Sequence, residues 1–386
     1  MNRRNSNGNR VPPPVDSVVL YERFWMCWKI VGIGTDYNEF LCGLYDICVN
    51  IFITIYYPLH LTIGLFMEPT VADVFKVLAI NVTCIVCTIK HYMFRYKLKK
   101  IRAIQATLSQ LDKRAMDMDE REYFSRVPKA GAQFVVNAFF GAYIMSNLAA
   151  ASAALLSSER RLMYPAWFPF DWRATTLNYW VALLYQFFGI TIQIIQNLAN
   201  DIYAPMSLCI IAGHVRMLGM RLSKLGYDTR KSTIQINSEL INCVEDHKKL
   251  LEIFEALQDT LSIAQLSQFI SSGLNICIVL VYLLFYADNI FASIYYSVYF
   301  IAMAIEIFPC CYYGSIMQQE FLDLPYAVFK SNWLKQNNKF RKNMIIFTEL
   351  AKKEITPIAG GVIGIHLNAF FYTCKMAYSL FAVLRS

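Results

Sequence analysis

Apolar residues fall in long runs separated by short polar stretches. A helix needs about 20 such residues to cross roughly 30 Å of hydrocarbon. Seven segments reach that length, at roughly 40–66, 71–94, 132–157, 176–212, 260–286, 289–316 and 357–384. The pattern predicts an all-α, seven-transmembrane helical membrane protein. Pro69 breaks the link between the first two spans, as suits a tight turn. The link at 287–288 is the shortest. A single helix over 260–316 would run about 85 Å, too long for one crossing, so this run is read as two spans.

Two helices are expected to overrun the bilayer. The fourth run continues from Leu177 to Val215, interrupted only by Pro205. At 1.5 Å per residue it reaches about 57 Å, with a kink expected near the proline. Upstream of the fifth span, Ile236, Leu240, Val244, Leu251, Phe254, Leu257 and Leu261 recur at helical spacing, which marks an amphipathic helix. No Pro or Gly separates it from the span. One helix from Ser238 to Tyr286 would extend about 75 Å. After the sixth span, Phe329, Trp333, Phe340, Ile345 and Leu350 lie among charged residues. Apolar faces outside lipid must be buried. They can form a mini-bundle within one subunit or an interface between subunits; three elements on one side favour the interface.

Charge fixes the expected orientation. The loops on one side of the spans hold 29 Lys and Arg, those on the other hold four, and Lys76, Lys90 and Lys375 lie within spans. Positive charge accumulates on the cytoplasmic side. The N-terminus is therefore expected to be cytoplasmic. The chain then divides into a cytoplasmic N-terminal segment (1–39), six spans (40–316), a cytoplasmic anchor helix (317–356) and a last helix (357–386). G-protein-coupled receptors have the opposite orientation, and neither their acidic-Arg-Tyr triplet nor an NPxxY motif occurs. A transporter would show internal repeats or helices broken near mid-membrane, and none is apparent. The net charge of +8 belongs to these loops, so no nucleic-acid partner is inferred. Charged residues are only 17% of the chain, against about 25% in soluble proteins.

Candidate chemistry changes little. Most of the 11 cysteines lie in apolar segments, where they read as small buried residues. Cys84 and Cys87 have CxxC spacing but no second pair. The histidines His60, His91, His214, His247 and His366 are scattered over separate elements, which argues against an intramembrane hydrolase. No HExxH, GxSxG, P-loop or Rossmann fingerprint occurs, so neither enzyme activity nor a cofactor is expected. The Asn81 sequon falls inside a span. No cleavable signal peptide is visible, and the first span is expected to direct insertion.

The last third of the chain carries a sharper signal. It reads FPCCYYGSIMQQEF, FKSNW, KFRKNMIIF and ITPIAGGVIGIHLNAFFYTCKMAYSLFAVLRS. Gly314, Ser331-x-Trp333, the basic stretch at Arg341, Pro357 with its glycines, and Lys375 to Ser379 resemble the C-terminal signature of the insect odorant receptor family. The N-terminal two thirds agrees in topology, with an early aromatic stretch from Tyr21 to Trp28. A gustatory receptor is the alternative. Tyr378 fits that family's ending, but its Gln-Phe pair is missing. The family's co-receptor has a long insertion before the fifth helix, whereas this loop has only about 47 residues.

The resemblance implies a tuning subunit that assembles with a co-receptor subunit, as a hetero-oligomeric tetramer, into an odorant-gated nonselective cation channel. It implies the plasma membrane of olfactory sensory neuron dendrites. The cytoplasmic helices would form the anchor and the last helix would line the pore. A small volatile odorant would bind in the outer half of the bilayer, among the second to sixth helices. There, Ser146, Tyr185, Phe188 and Tyr295 are the chosen ligand-binding candidates. Tyr and Trp supply apolar area with a polar handle, although aromatics in membrane helices also pack against neighbours or sit at the interface. Near the outer end of the last helix, Ser379, Leu380, Ala382 and Val383 are the pore candidates, since an apolar ring can close a pore by excluding water. Lys375 can snorkel outward or act in the pore. Asp201, Glu306 and His214 are expected to pair in the anchor or to couple pocket to pore.

Overall fold

The computed structural model describes residues 12–34, 39–67, 70–155, 161–286 and 290–385. The Pro69 turn and the 287–288 link lie outside them. The helices are α1 (Glu22–Ile30), α2 (Glu39–Val49), α3 (Tyr56–Leu65), α4 (Val71–Asp112), α5 (Met118–Arg126), α6 (Pro128–Leu155), α7 (Thr176–Lys224), α8 (Thr233–Phe285), α9 (Ile290–Ala327), α10 (Asn338–Ala351) and α11 (Leu367–Arg385). Five stretches of the described residues are long and apolar enough to cross a membrane: Phe40–Leu65, Val77–Asp112, Met118–Ser152, Thr176–Lys224 and Thr233–Phe285. With α9 and α11 they make the expected set of spans.

α7 is the central helix. Every residue from Gln196 to Val215 is buried, including the turn that contains Pro205. Only a helix enclosed on all sides buries its whole circumference. At its 49 residues, α7 is about 74 Å long, and α8, with 53, about 80 Å, against a core of roughly 30 Å. α4 also overruns, ending at Asp112 and not near residue 94. Its extension carries the basic residues Arg95 to Arg102, which lowered its hydropathy and hid its continuity with the span. α9 likewise continues to Ala327, past Pro309 and Pro325. The expected single anchor helix over 317–356 is therefore the end of α9, two short 3-10 turns and α10.

The basic ends of these helices form one packed layer. Arg221 on α7 bridges Glu120 at 2.9 Å and Asp246 at 2.5 Å. Burial pushes both carboxyls above their usual range, opposed by Arg221. His214 lies here, with its Nε2 2.8 Å from Ser17 Oγ and 3.3 Å from Asp112. Ser17 also donates through its backbone to Asp112 at 2.8 Å, so three buried side chains tie the N-terminal segment to α4 and α7. Phe24, Tyr21 and Trp28 of that segment are fully buried.

α8 opens with a reciprocal cap between Ser232 and Gln235. Two orphan helix donors are satisfied at once. Ser232→Ala is expected to cost about 1 kcal/mol, measurable as a lower thermal midpoint in detergent with unchanged ligand ranking.

The last helix starts later than residue 357. Ile358–Ala359 pairs antiparallel with Ile363–Gly364. Gly360 and Gly361 turn this hairpin at φ +60° and +72°, the left-handed conformation that such tight turns require. Gln258 of α8 clamps Ile358, accepting its N–H at 2.8 Å and donating to its carbonyl at 2.5 Å. α11 then packs on α8 and α9.

Candidate functional site

The first span widens into a π-helical turn at Asn50–Ile55 between α2 and α3. Such a turn disrupts the regular ladder and leaves carbonyls to be satisfied from outside. The Tyr185 hydroxyl donates to the Phe52 carbonyl at 2.6 Å. Gln193 Nε2 donates to that of Ile53 at 3.0 Å, and Thr88 Oγ1 to that of Thr54 at 2.7 Å. The Tyr185 ring lies 5.6 to 6.1 Å from those of Tyr56, Tyr57, His60 and Phe168. The loop after α6 closes over this cluster, with the Trp167 N–H donating to the His60 carbonyl. A Cβ on Gly64 would lie 2.6 Å from Ala166 Cα, so the close approach requires glycine there.

Two polar layers lie deeper. In the outer one, Asn275 Nδ2 on α8 donates to Thr83 Oγ1 on α4 at 3.0 Å and lies 3.9 Å from Met303 Sδ on α9. Asn147 Nδ2 on α6 donates to Thr191 Oγ1 on α7 at 2.9 Å. Asn275 Oδ1 and Asn147 Oδ1 are buried without a partner among the described residues.

The inner layer is ionic. Lys90 Nζ donates to Asp201 Oδ1 at 2.6 Å and to Gln268 Oε1 at 2.5 Å. The Tyr143 hydroxyl lies 2.5 Å from Asp201 Oδ2 and 3.3 Å from Glu306 Oε1, and accepts from Asn197 at 2.8 Å. Lys90 is 2% exposed and Asp201 8%. Five helices thus meet at one lysine and two carboxylates. Thr83 to Lys90 and Asn275 to Gln268 are each seven residues, so the layers are about 10 Å apart. Apolar spans do not bury such groups unless they are paired.

The sequence candidates scatter around this centre. Tyr185 sits in the aromatic cluster with its hydroxyl already engaged. Ser146 neighbours Asn147 but is exposed, and Phe188 is 59% exposed on the subunit surface. The Tyr295 side chain lies outside the described residues, as do those of Leu380 and Val383. Ser379 and Ala382 are exposed on α11, in a face that also bares Phe371, Tyr372 and Met376. The Ser379 hydroxyl donates to the Lys375 carbonyl at 2.9 Å. Asp201 and Glu306 share one network within the bundle, whereas His214 stands apart at the basic end.

A family model described as the seven-transmembrane odorant receptor matches residues 70–378. Odorant receptor 33b of Drosophila melanogaster is 44% identical over 375 residues, spanning 97% of this chain and 98% of the relative. Odorant receptor 33a of the same fly is 42% identical over 372 residues, spanning 96% and 98%. This chain belongs to the insect odorant receptor family. It is a multi-pass membrane receptor and not an enzyme. The fold matches that of olfactory receptor OR5 from Machilis hrabei, with a TM-score of 0.78 at 18% identity over 96% of this chain and 99% of that one. The same receptor in complex with eugenol superposes with a TM-score of 0.79.

Proposed function

We propose that this odorant receptor is a tuning subunit that binds a small volatile odorant and, with a co-receptor subunit, forms an odorant-gated nonselective cation channel. The ligand seat is the outer half of the bundle, bounded on its inner side by the Lys90–Asp201–Glu306 layer. The observation that carries this reading is that Asn147 Oδ1 and Asn275 Oδ1 of the outer polar layer, together with Gln193 Oε1 on α7, are buried without a partner among the described residues. A largely apolar molecule with one hydrogen-bond donor suits such a place. The eugenol complex of the Machilis receptor supports a ligand of this class. The charge asymmetry of the loops supports a cytoplasmic N-terminus and a cytoplasmic anchor built from the overrunning helices. The bare face of α11 supports its role as the pore helix, with Ser379, Leu380, Ala382 and Val383 near the gate. The site of action is the plasma membrane of olfactory sensory neuron dendrites.

The test is odorant-evoked current with and without the co-receptor. Current only in the pair is the expected result. Alanine at two or more of Ser146, Tyr185, Phe188 and Tyr295 should reorder odorant potency, with shifts of about tenfold for a lost contact. An unchanged ranking at normal surface expression would remove these residues from the pocket.

A further inference from the structure

At the basic end of the bundle α4 and α8 line a groove of about 740 Å³. Its walls change character along its length. Tyr92, Met93, Tyr96 and Ile263 form the part nearer the spans, and Tyr96 and Ile263 are 87% and 60% exposed. Lys97 and Asp259 form the part beyond. Aromatic residues followed by lysines mark the level where acyl chains give way to headgroups. From Arg95 to Arg102, α4 carries five cations. Facing them are Asp46, which pairs with Arg95, and Glu255 and Asp259 across the groove. Lys97 and Lys100 converge on the single Asp259 carboxylate, at 2.5 and 2.6 Å. Two ammonium groups on one carboxylate leave room for a second anion.

We propose that this groove binds an anionic phospholipid, with its phosphate on Lys97 and Lys100 and its acyl chain along Tyr92, Met93 and Ile263. The proposal depends on the chain lying in a bilayer, not on any odorant. The occupied wall is mechanically placed. Gln258, which lines the groove, holds Ile358 of the hairpin, and the Ser262 carbonyl accepts the Gly360 N–H at 2.9 Å. That hairpin leads directly into α11. A headgroup drawing the lysines off Asp259 would act on the α8 turn that anchors the last helix.

The experiment reconstitutes the full-length receptor in nanodiscs of phosphatidylcholine, with or without phosphatidylserine, and measures retained lipid by native mass spectrometry. Wild type should retain phosphatidylserine over phosphatidylcholine. Lys97→Gln with Lys100→Gln should lower that preference, by about fivefold for each lysine. Asp259→Asn should raise it by freeing both ammonium groups, so the proposal stays testable if the double variant folds poorly. Equal retention in wild type and Asp259→Asn would overturn it. So would a photo-crosslinker at position 96 that captures protein and no lipid, which would assign the groove to a neighbouring chain.

Discussion

Asp201→Ala is expected to abolish folded receptor at the cell surface. The substitution leaves the Lys90 ammonium buried at 2% exposure with Gln268 as its remaining described hydrogen-bond acceptor. Breaking a buried ion pair from one side costs about 3–5 kcal/mol, a large fraction of the roughly 5–15 kcal/mol that holds a typical domain folded. Tyr143 loses its nearer acceptor in the same step. Surface labelling of an epitope-tagged receptor reads the loss. Glu306→Gln is expected to be far milder, because Lys90 keeps both Asp201 and Gln268. Adding Lys90→Met to the Asp201→Ala background removes the buried charge that has lost its hydrogen-bonded carboxylate and should restore part of the surface signal. If Asp201→Ala reaches the surface at wild-type levels, the layer is not the keystone of the bundle. A restored double variant that no longer responds to odorant would assign the layer to coupling as well as to folding.

Much of this architecture was legible in the chain because lipid imposes a simple rule. Spans must be apolar and helical, and loops must carry the positive charge asymmetrically. The overrun of α7 and α8 was legible for the same reason, since no Gly or Pro separates the amphipathic stretch of α8 from its span and only Pro205 and Gly213 mark the boundary of α7. The overrun of α4 was not, because Arg95 to Arg102 resembles an ordinary basic loop until its apolar residues Leu98 and Ile101 are seen buried against the core. The hairpin before α11 was read as part of a span, because apolar residues surround Gly360 and Gly361 and hydropathy is blind to φ.

The ionic layer was only half legible. Lys90, Asp201 and Glu306 stand out as charges in apolar runs, but their partnership spans 216 residues of chain and depends on which helices are neighbours. The signal that could have found it is the polar seven-residue spacing of Thr83 with Lys90 and of Gln268 with Asn275. Aromatic character and depth carry no information on rotation about the helix axis. Phe188 and Ser146 are exposed in the single chain, one position away from Gly189 and Asn147, which face inward or make interhelical bonds.

The second large effect is expected at Gly314 on α9. A Cβ there would lie 2.0 Å from the Ile365 carbonyl oxygen and 3.1 Å from its carbon. Both are backbone atoms, so the clash cannot be relieved by turning a side chain. The Ile365 N–H is held by the Pro357 carbonyl at 2.7 Å, and the Leu367 N–H by Ser315 Oγ at 2.9 Å. The first bond closes the hairpin on itself, and the second ties the start of α11 to the same turn of α9 that would push the hairpin away. Gly314→Ala should displace the hairpin and the start of α11, while leaving the Lys90–Asp201 layer intact. Overpacking of this kind costs about 1–3 kcal/mol, less than the loss of Asp201. The expected result is therefore receptor that still reaches the surface but whose odorant-evoked current falls by about tenfold or more. Wild-type current in Gly314→Ala would show that the seat of α11 on α9 is not part of gating. Loss of surface expression equal to that of Asp201→Ala would make the contact one of folding alone. The Phe308–Phe370 ring contact, at 5.5 Å between α9 and α11, separates these cases, since Phe370→Leu loosens the same seat without a backbone clash and should shift current in the same direction by a smaller factor.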